Sequence, residues 1–505
     1  MKLSDITTKE IAGDVIQELK SGRGISLPEV EKAKNGLDPF KHDVFDPIKR
    51  PDKIVKVDVE EGGTKVIEAD NPEATTRREP VARIAVSLQK LIVKRAVSFL
   101  FGNDVELEAE PENDNQKLVL KALKRILYDV KSKSLNRRVA RNLFSSTEVA
   151  ELWYPVPVDK TNTGTGLMSR VKDLVNNLVG NKFHLNYGFK SKYKLRVSVF
   201  SPLLGDMLYP YFDDSGDMIA FSRGFSSVDN KEVKRDYFET YTDEEHWLWI
   251  KGENGFDVAE GYPKRIEIGK IPVIFANQAQ LEWADVQVLI DRLEKLLSNF
   301  ADTNDYHASP KIFVKGHVEG FSKKGEAGAI IEGDENSEAT YLAWQHAPEA
   351  VKLEIDTLLR LIYTLTQTPD IAFDSVKGIG AVSGIALKLL FMDAHLKVED
   401  KKEIFDEYMQ RRINVIKAFI SKFNTQLATD CDTLQIEPEI TPYMIDDEKN
   451  NIDLLVAANG GKPVISQKRS VELANLSNDH EAEFAQIEKE AEKEKTLTLS
   501  EPTFA

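Results

Sequence analysis

The sequence predicts an α+β chain of several units, and three observations carry that reading. Residues 81–101 and 115–130 repeat apolar side chains at close to 3.6-residue spacing, the period of core-facing helices. Residues 148–275 change to short runs rich in aromatic and β-branched residues, the pattern of strands. From 279 the helical period returns, is broken by a small β-patterned unit, and ends in one very long amphipathic run. At 505 residues, two to four structural units are expected.

Composition bounds the function. With 41% hydrophobic and 30% charged residues the chain is apolar enough to fold and too charged to live in a bilayer. Its single cysteine, Cys431, excludes an intramolecular disulfide and a cysteine-built metal cage, and suits a reducing compartment. Residues 1–20 lack the uninterrupted apolar core of a signal peptide. In the most apolar stretch, 81–102, the charges of Arg83, Lys90, Lys94 and Arg95 rule out a membrane span and point to a buried helix. A net charge of −16 disfavours tight phosphate binding as the main activity.

Residues 1–80 are polar and broken by Pro28, Pro39, Pro47, Pro51, Pro72 and Pro80, the pattern of an extended arm with short elements. The helix expected over 81–101 presents Ile84, Leu88, Leu91, Ile92 and Phe99; the one over 115–130 presents Leu118, Ala122, Leu123, Ile126 and Leu127. Strands are expected at 148–156, 194–202, 207–225, 235–252 and 271–277, with Asp213-Asp214-Ser215-Gly216 as a hairpin turn. That turn explains its paired aspartates without a metal. Residues 159–183 form a Gly/Thr/Asn-rich insert. Helices follow at 279–305 and 348–367, flanking β segments at 310–321, 327–334 and 339–344. The long helix is expected over 384–428, some 65 Å, with a stripe from Phe405 through Leu427. The tail, 450–495, reads as two or three short helices.

The glycine-rich stretch Gly378-Ile-Gly380-Ala-Val-Ser383-Gly384 raises the question of a dinucleotide. Such a loop must follow a buried parallel strand and open a helix, with an acid at the end of a second strand to hold the ribose. Here it follows a helix end and a polar turn, and Glu399 belongs to the same long helix. A cofactor is therefore not expected, and neither P-loop, H-E-x-x-H, G-x-S-x-G nor EF-hand pattern occurs. The eight histidines show no metal-ligand spacing.

What remains is an order: helix, small β unit, helix, glycine loop, long helix. With "VSLQKLIVKRAVSFLFGNDVEL" (86–107), "RVSVFSPLLGDMLYPYFDDSGDMIAFSRGF" (196–225), "IPVIFANQAQLEWADVQVLIDRLEKLLSNFADTND" (271–305) and "VSGIALKLLFMDAHLKVEDKKEIFDEYMQ" (382–410), that order resembles the portal proteins of tailed bacteriophages. The Ser-Gly-x-Ala-Leu-Lys start of the long helix is the most specific of these points.

The resemblance implies a portal fold. Residues 1–80 would be an N-terminal arm, 81–278 and 384–449 the α/β wing, 279–307 and 347–370 the two stem helices, and 308–346 the β-rich clip. Residues 371–383 would be the tunnel loop, and 450–505 the helical crown and tail. It further implies a ring, twelve-fold in the virion, through which double-stranded DNA is packaged and ejected. Its partners would be the terminase large subunit, which supplies the ATP hydrolysis, the major capsid and scaffold proteins, and a head-completion adaptor. Such a protein is no enzyme, binds no membrane, and resides at the portal vertex of the virion, and in the host cytoplasm during assembly.

The site residues follow from that assignment. Val376, Lys377, Gly378, Ile379 and Gly380 would line the channel at the tunnel loop, with Lys377 the candidate for a transient phosphate contact and the glycines lending backbone freedom. Lys315, His317, Lys323 and Lys324 would face terminase or adaptor at the clip. Across 279–370, sixteen acidic residues stand against eight basic ones, which suits a wall that lets DNA slide. Trp283 and Tyr306, off the main stripe, would be covered by a neighbouring subunit. Arg137, Arg138 and Arg141 form a basic patch, expected to make inter-subunit ion pairs in preference to facing DNA. Two other readings stay open: another phage head component, and more remotely a nucleotide-binding enzyme using 378–384.

Overall fold

The computed structural model describes residues 1–22, 27–60, 63–66, 75–157, 187–189, 191–228, 233–307, 311–315, 318–321, 331–333, 338–342, 347–370, 391–443, 448–460, 463–474, 476–477 and 480–499. It is a mixed helix and sheet structure in two compact units, one of 1–369 with 393–442 and one of 370–392 with 443–505.

In the first unit, α1 (Leu3–Ile6), α2 (Ala12–Lys20) and α3 (Leu27–Leu37) precede a small sheet in which β1 (Lys53–Glu60) pairs with β2 (Gly63–Val66) and β3 (Thr75–Glu79). The N-terminal region is thus not an arm throughout. Leu3, Val15, Ile16 and Leu19 are buried with Tyr209, Phe238 and Trp249, because α2 is amphipathic enough to cover one face of the main sheet. Three helices follow: α4 (Leu88–Leu100), α5 (Asp114–Asp129) and α6 (Ser132–Ser146). Asn113 caps α5, its side chain accepting from Gln116 N at 2.8 Å.

The β block holds two sheets. In one, β13 (Val273–Asn277), β5 (Glu148–Pro157) and β6 (Tyr193–Phe200) lie in that order. In the other, β7 (Met207–Phe212), β8 (Met218–Val228), β9 (Lys234–Tyr241), β10 (Glu245–Gly252) and β11 (Gly255–Val258) form an antiparallel meander, with β12 (Lys264–Arg265) on β10. The 213–216 turn is structural, as expected: Asp213 Oδ1 accepts from the Ser215 and Asp217 amides, both at 2.9 Å, and Gly216 takes φ +85°.

Then come α7 (Gln287–His307), the hairpin-like pairs β14 (Lys311–Lys315) with β17 (Glu338–Leu342) and β15 (Val318–Phe321) with β16 (Ile331–Gly333), and α8 (Ala347–Leu365). The long helix α9 spans Met392–Phe423, about 48 Å. It ends before the expected residue 428 because Asn424 leaves helical geometry and turns its side chain to cap the next turn at Gln426 N. After α10 (Ala428–Thr433), β18 (Glu437–Glu439) pairs with β4 (Glu106–Glu108). In the second unit, α11 (Glu448–Asn459), α12 (Gln467–Ala474) and α13 (His480–Leu499) follow, α11 and α12 joined by a bond of 3.2 Å from Asn459 Nδ2 to Ser470 Oγ.

Two further expectations fail for identifiable reasons. The helix predicted from 81 starts only at Leu88, and Ile84, read as core, is 37% exposed. Residues 82–86 are instead an extended strap whose amides bond to side chains of α7. Trp283, read as awaiting a neighbour, is 2% exposed within the chain: α3 brings Gly36 so close that a Cβ there would lie 3.1 Å from the indole nitrogen.

Candidate functional site

The site is built around the paired helices α7 and α8 and the segment that follows them. Val286, Ile290, Leu293 and Leu296 are buried on one side of the junction, Leu358 and Ile362 on the other. Arg292 bonds to Glu354 across the helices at 2.7 and 2.9 Å. Both are substantially exposed, so that pair adds little beyond register. Flanking that buried face, α8 carries a ridge of Leu353, Thr357, Leu361 and Leu365 at four-residue spacing, with Leu353 68% exposed. Val288 on α7 is 76% exposed.

α7 is gripped by the N-terminal region. The strap donates from Ala82 N to Asp302 Oδ1, from Ile84 N to Ser298 Oγ and from Val86 N to Glu294 Oε1, each at 2.9 Å. Arg50 adds bonds to Asp302 Oδ2 (2.6 Å) and Asn299 Oδ1 (2.8 Å) and holds the strap through Ala82 O. His42 is buried between Glu294 Oε1, 2.7 Å from Nδ1, and the Gly36 carbonyl, 3.1 Å from Nε2. Two acceptors facing both ring nitrogens are satisfied together only by imidazolium.

Burial pulls the His42 pKa down, but the hydrogen bond and charge of Glu294, with the Gly36 carbonyl, raise it on balance. A raised folded-state value means the contribution is complete below the unfolded value near 6.5 and is lost as pH rises through the folded one. Wild-type melting temperature is therefore expected to fall more steeply than that of His42→Gln between about pH 6 and pH 9. Parallel curves for the two proteins would contradict this assignment.

At the other end of the site the chain leaves α8 through a Schellman turn. Thr368 N bonds to Tyr363 O at 2.9 Å and Gln367 N to Thr364 O at 3.1 Å, with Gln367 at φ +49° where glycine is usual. Gln367→Gly is expected to stabilise the fold by up to about 1 kcal/mol, read as a higher melting midpoint, because glycine takes that conformation without strain.

Lys397 of α9 donates to the Thr366 carbonyl at 2.8 Å and pairs with Glu282 Oε1 at 2.6 Å; Lys401 reaches Glu282 Oε2 at 3.2 Å. Burial raises the Glu282 pKa, and the two ammonium groups more than offset it, holding the carboxyl below its usual range. Arg95 Nη1 donates to Pro369 O at 2.6 Å. One buried cluster thereby ties the approach to α7, the end of α8 and the start of α9.

The predicted site residues are distributed unevenly over this frame. Val376, Lys377, Gly378, Ile379 and Gly380 lie outside the described residues, as do His317, Lys323, Lys324 and the 159–183 insert. Lys315 is exposed on β14, opposite Glu338 of β17. Arg138 and Arg141 are exposed on α6, whereas Arg137 turns back to the Phe101 and Gly102 carbonyls at 2.9 and 3.2 Å and caps α4. Of the sixteen acids counted over 279–370, Glu282, Asp285, Asp291, Glu294, Asp302 and Glu354 are among those with side-chain partners within the chain.

Sequence reasoning missed Lys397, Glu282, His42 and Arg412. Its available signal was a charge inside an apolar stripe, as at Arg412 between Met409 and Ile413. Among the described residues, no group of His, Cys, Asp and Glu could hold a metal, and no helix is long and apolar enough to cross a membrane. Burial pushes the Cys431 thiol up to about 11, away from nucleophilic use.

The buried charges of the site sit at junctions between elements, where they tie helix, strap and turn together. The chain belongs to the phage portal protein family, SPP1 Gp6-like, whose family model matches residues 61–497. That family is structural, and membership gives the chain a portal or connector role in a phage particle. No curated protein matches it. Among solved structures, a chain from the neck of an empty GTA particle computed with C6 symmetry is 10% identical, at a TM-score of 0.34, over 77% of this chain and 90% of that one.

Proposed function

We propose that the chain is the subunit of a ring-shaped channel at one capsid vertex, through which DNA passes during packaging and again during ejection. The family match over 61–497 carries this reading. On it, α7 and α8 are the stem, the paired strands between them belong to the clip, 371–383 is the tunnel loop, α9 is the wing helix, and 450–505 the crown and tail. The unpartnered ridge of Leu353, Leu361 and Leu365 supports a neighbour on α8, since a contiguous apolar face is costly in water. The clip, with Lys315, His317, Lys323 and Lys324, would dock the terminase large subunit and later a head-completion adaptor. Lys377 would touch phosphate as the duplex passes. Capsid and scaffold proteins would hold the ring of twelve subunits in the vertex.

Negative-stain imaging with the mass in solution tests this. Rings of about a dozen chains, with a hole wider than a duplex of roughly 20 Å, are the expected result. A monomer or dimer at every concentration, with scaffold protein present, would overturn it.

A further inference from the structure

Charge is sharply sorted in one part of the chain. Residues 104–114 hold six acids and no base, whereas 117–141 hold nine bases against one acid, Asp129. On α5, Lys117, Lys121, Lys124 and Tyr128 follow at i, i+4, i+7 and i+11, one exposed stripe about 16 Å long. Lys131 extends it, its ammonium 4.4 Å from the Tyr128 ring centre, with the Arg125 guanidinium at 5.3 Å. Among the described residues, Lys121 and Lys124 make no ion pair.

The acids continue into the β4–β18 ribbon. There Glu437 stands opposite Glu108 and Glu439 opposite Glu106, all four exposed. Like charges directly across a ladder are destabilising. Among the described residues, only Glu439 of these four gains a cation, Lys402 at 3.3 Å. The negative field reaches α9, where burial, and then Glu439 and Glu399, raise the Asp406 pKa. Among the described residues, the two sets meet only in the exposed pairs Lys117–Asp114 and Lys133–Asp104.

We propose that the α5 stripe docks on the β4–β18 ribbon of a second copy of this chain, as an electrostatic joint between neighbouring subunits. The inference rests on the ring reading. A closed ring needs head-to-tail contact between two different, complementary patches on every subunit, and this chain carries two patches of opposite sign that its own pairs answer only in part. Steering and register are what such charges supply best.

A charge swap in the full chain tests it, read by sedimentation at about 50 mM salt, where screening is weak. Lys121→Glu/Lys124→Glu and Glu106→Lys/Glu108→Lys should each raise the concentration of half-assembly by about tenfold or more, and the combined quadruple variant should restore it to within about threefold. High salt should bring wild type towards the variants. Glu108→Lys relieves the clash with Glu437, so its monomer should melt no lower than wild type while assembling worse; a merely structural role would move both together. Assembly of wild-type rings with no effect of either pair, or no rescue by the swap, overturns the joint while leaving the ring intact. Absence of wild-type rings sinks the ring reading and the joint with it. If Lys121→Glu/Lys124→Glu instead abolishes binding of a duplex of about 30 bp and leaves assembly unchanged, the stripe serves DNA and the proposal is wrong.

Discussion

Arg412→Met is expected to lower the stability of the first unit by about 3–5 kcal/mol, because it strands a fully buried carboxylate. Arg412 lies inside the apolar stripe of α9 and donates to both Glu151 oxygens of β5, at 2.6 and 2.7 Å. It also bonds to Asn136 of α6, and Trp153 Nε1 donates to Glu151 Oε1 at 2.9 Å. Helix, sheet and helix thus meet at one guanidinium. Placing two charges in the interior is costly, so the pair is poor evidence of net stabilisation, yet breaking it from one side leaves the cost without the return. The double variant Arg412→Met/Glu151→Leu should recover most of the loss. Denaturant midpoints of the three proteins check this; a single variant within about 1 kcal/mol of wild type would refute it.

Lys397→Met is expected to cost somewhat less, about 2–3 kcal/mol, since Lys401 still answers Glu282. Its effect should be local. Without the ammonium the Thr366 carbonyl keeps only the longer 3.2 Å bond from Thr368 Oγ1, and the turn at Gln367 loses the contact that holds it to α9. Hydrogen exchange of the last turn of α8 should therefore quicken by tenfold or more, following the 1.4 kcal/mol that separates decades. Amides in the β meander should be unmoved. Equal protection at 360–368 in both proteins would mean that the Schellman turn holds without Lys397. On the portal reading the same variant would loosen the root of the tunnel loop.

How much of this was legible in the sequence depends on what each element is packed against. Strands β5 to β10 announced themselves because aromatic and β-branched residues alternate with polar ones and the 213–216 turn uses residues that only a turn needs. Helices α5, α7 and α8 were legible from their apolar stripes for the same reason. The strap was not. Ile84, Leu88, Leu91 and Ile92 fit a helical period, and nothing local reveals that the amides at 82, 84 and 86 are claimed by side chains more than two hundred residues away. Trp283 failed similarly, because its partner Gly36 belongs to a region whose prolines suggested an arm. The buried charges were hidden by frequency: a lysine or histidine is usually solvated, and only the fold shows that Lys397 and His42 are not. Family membership was legible in the order of elements rather than in any one motif, which is why a match across 61–497 could be anticipated without a catalytic signature.

The strap on α7 has a further consequence, which concerns length. Two extended residues advance about 6.6 Å, while one four-residue step along a helix advances about 6.0 Å. The rungs at Ala82, Ile84 and Val86 and at Asp302, Ser298 and Glu294 are therefore two rulers of slightly different pitch, slipping by about 0.6 Å per rung. Three rungs can all sit at 2.9 Å if the error is shared between the ends. Each further rung would have to absorb another step of the same slip, so a ladder of this kind limits its own extent. The chain obeys that limit: past Val86 it stops running alongside and coils into α4 at Leu88. A one-residue deletion within 82–86 would misalign every rung on one side of the cut.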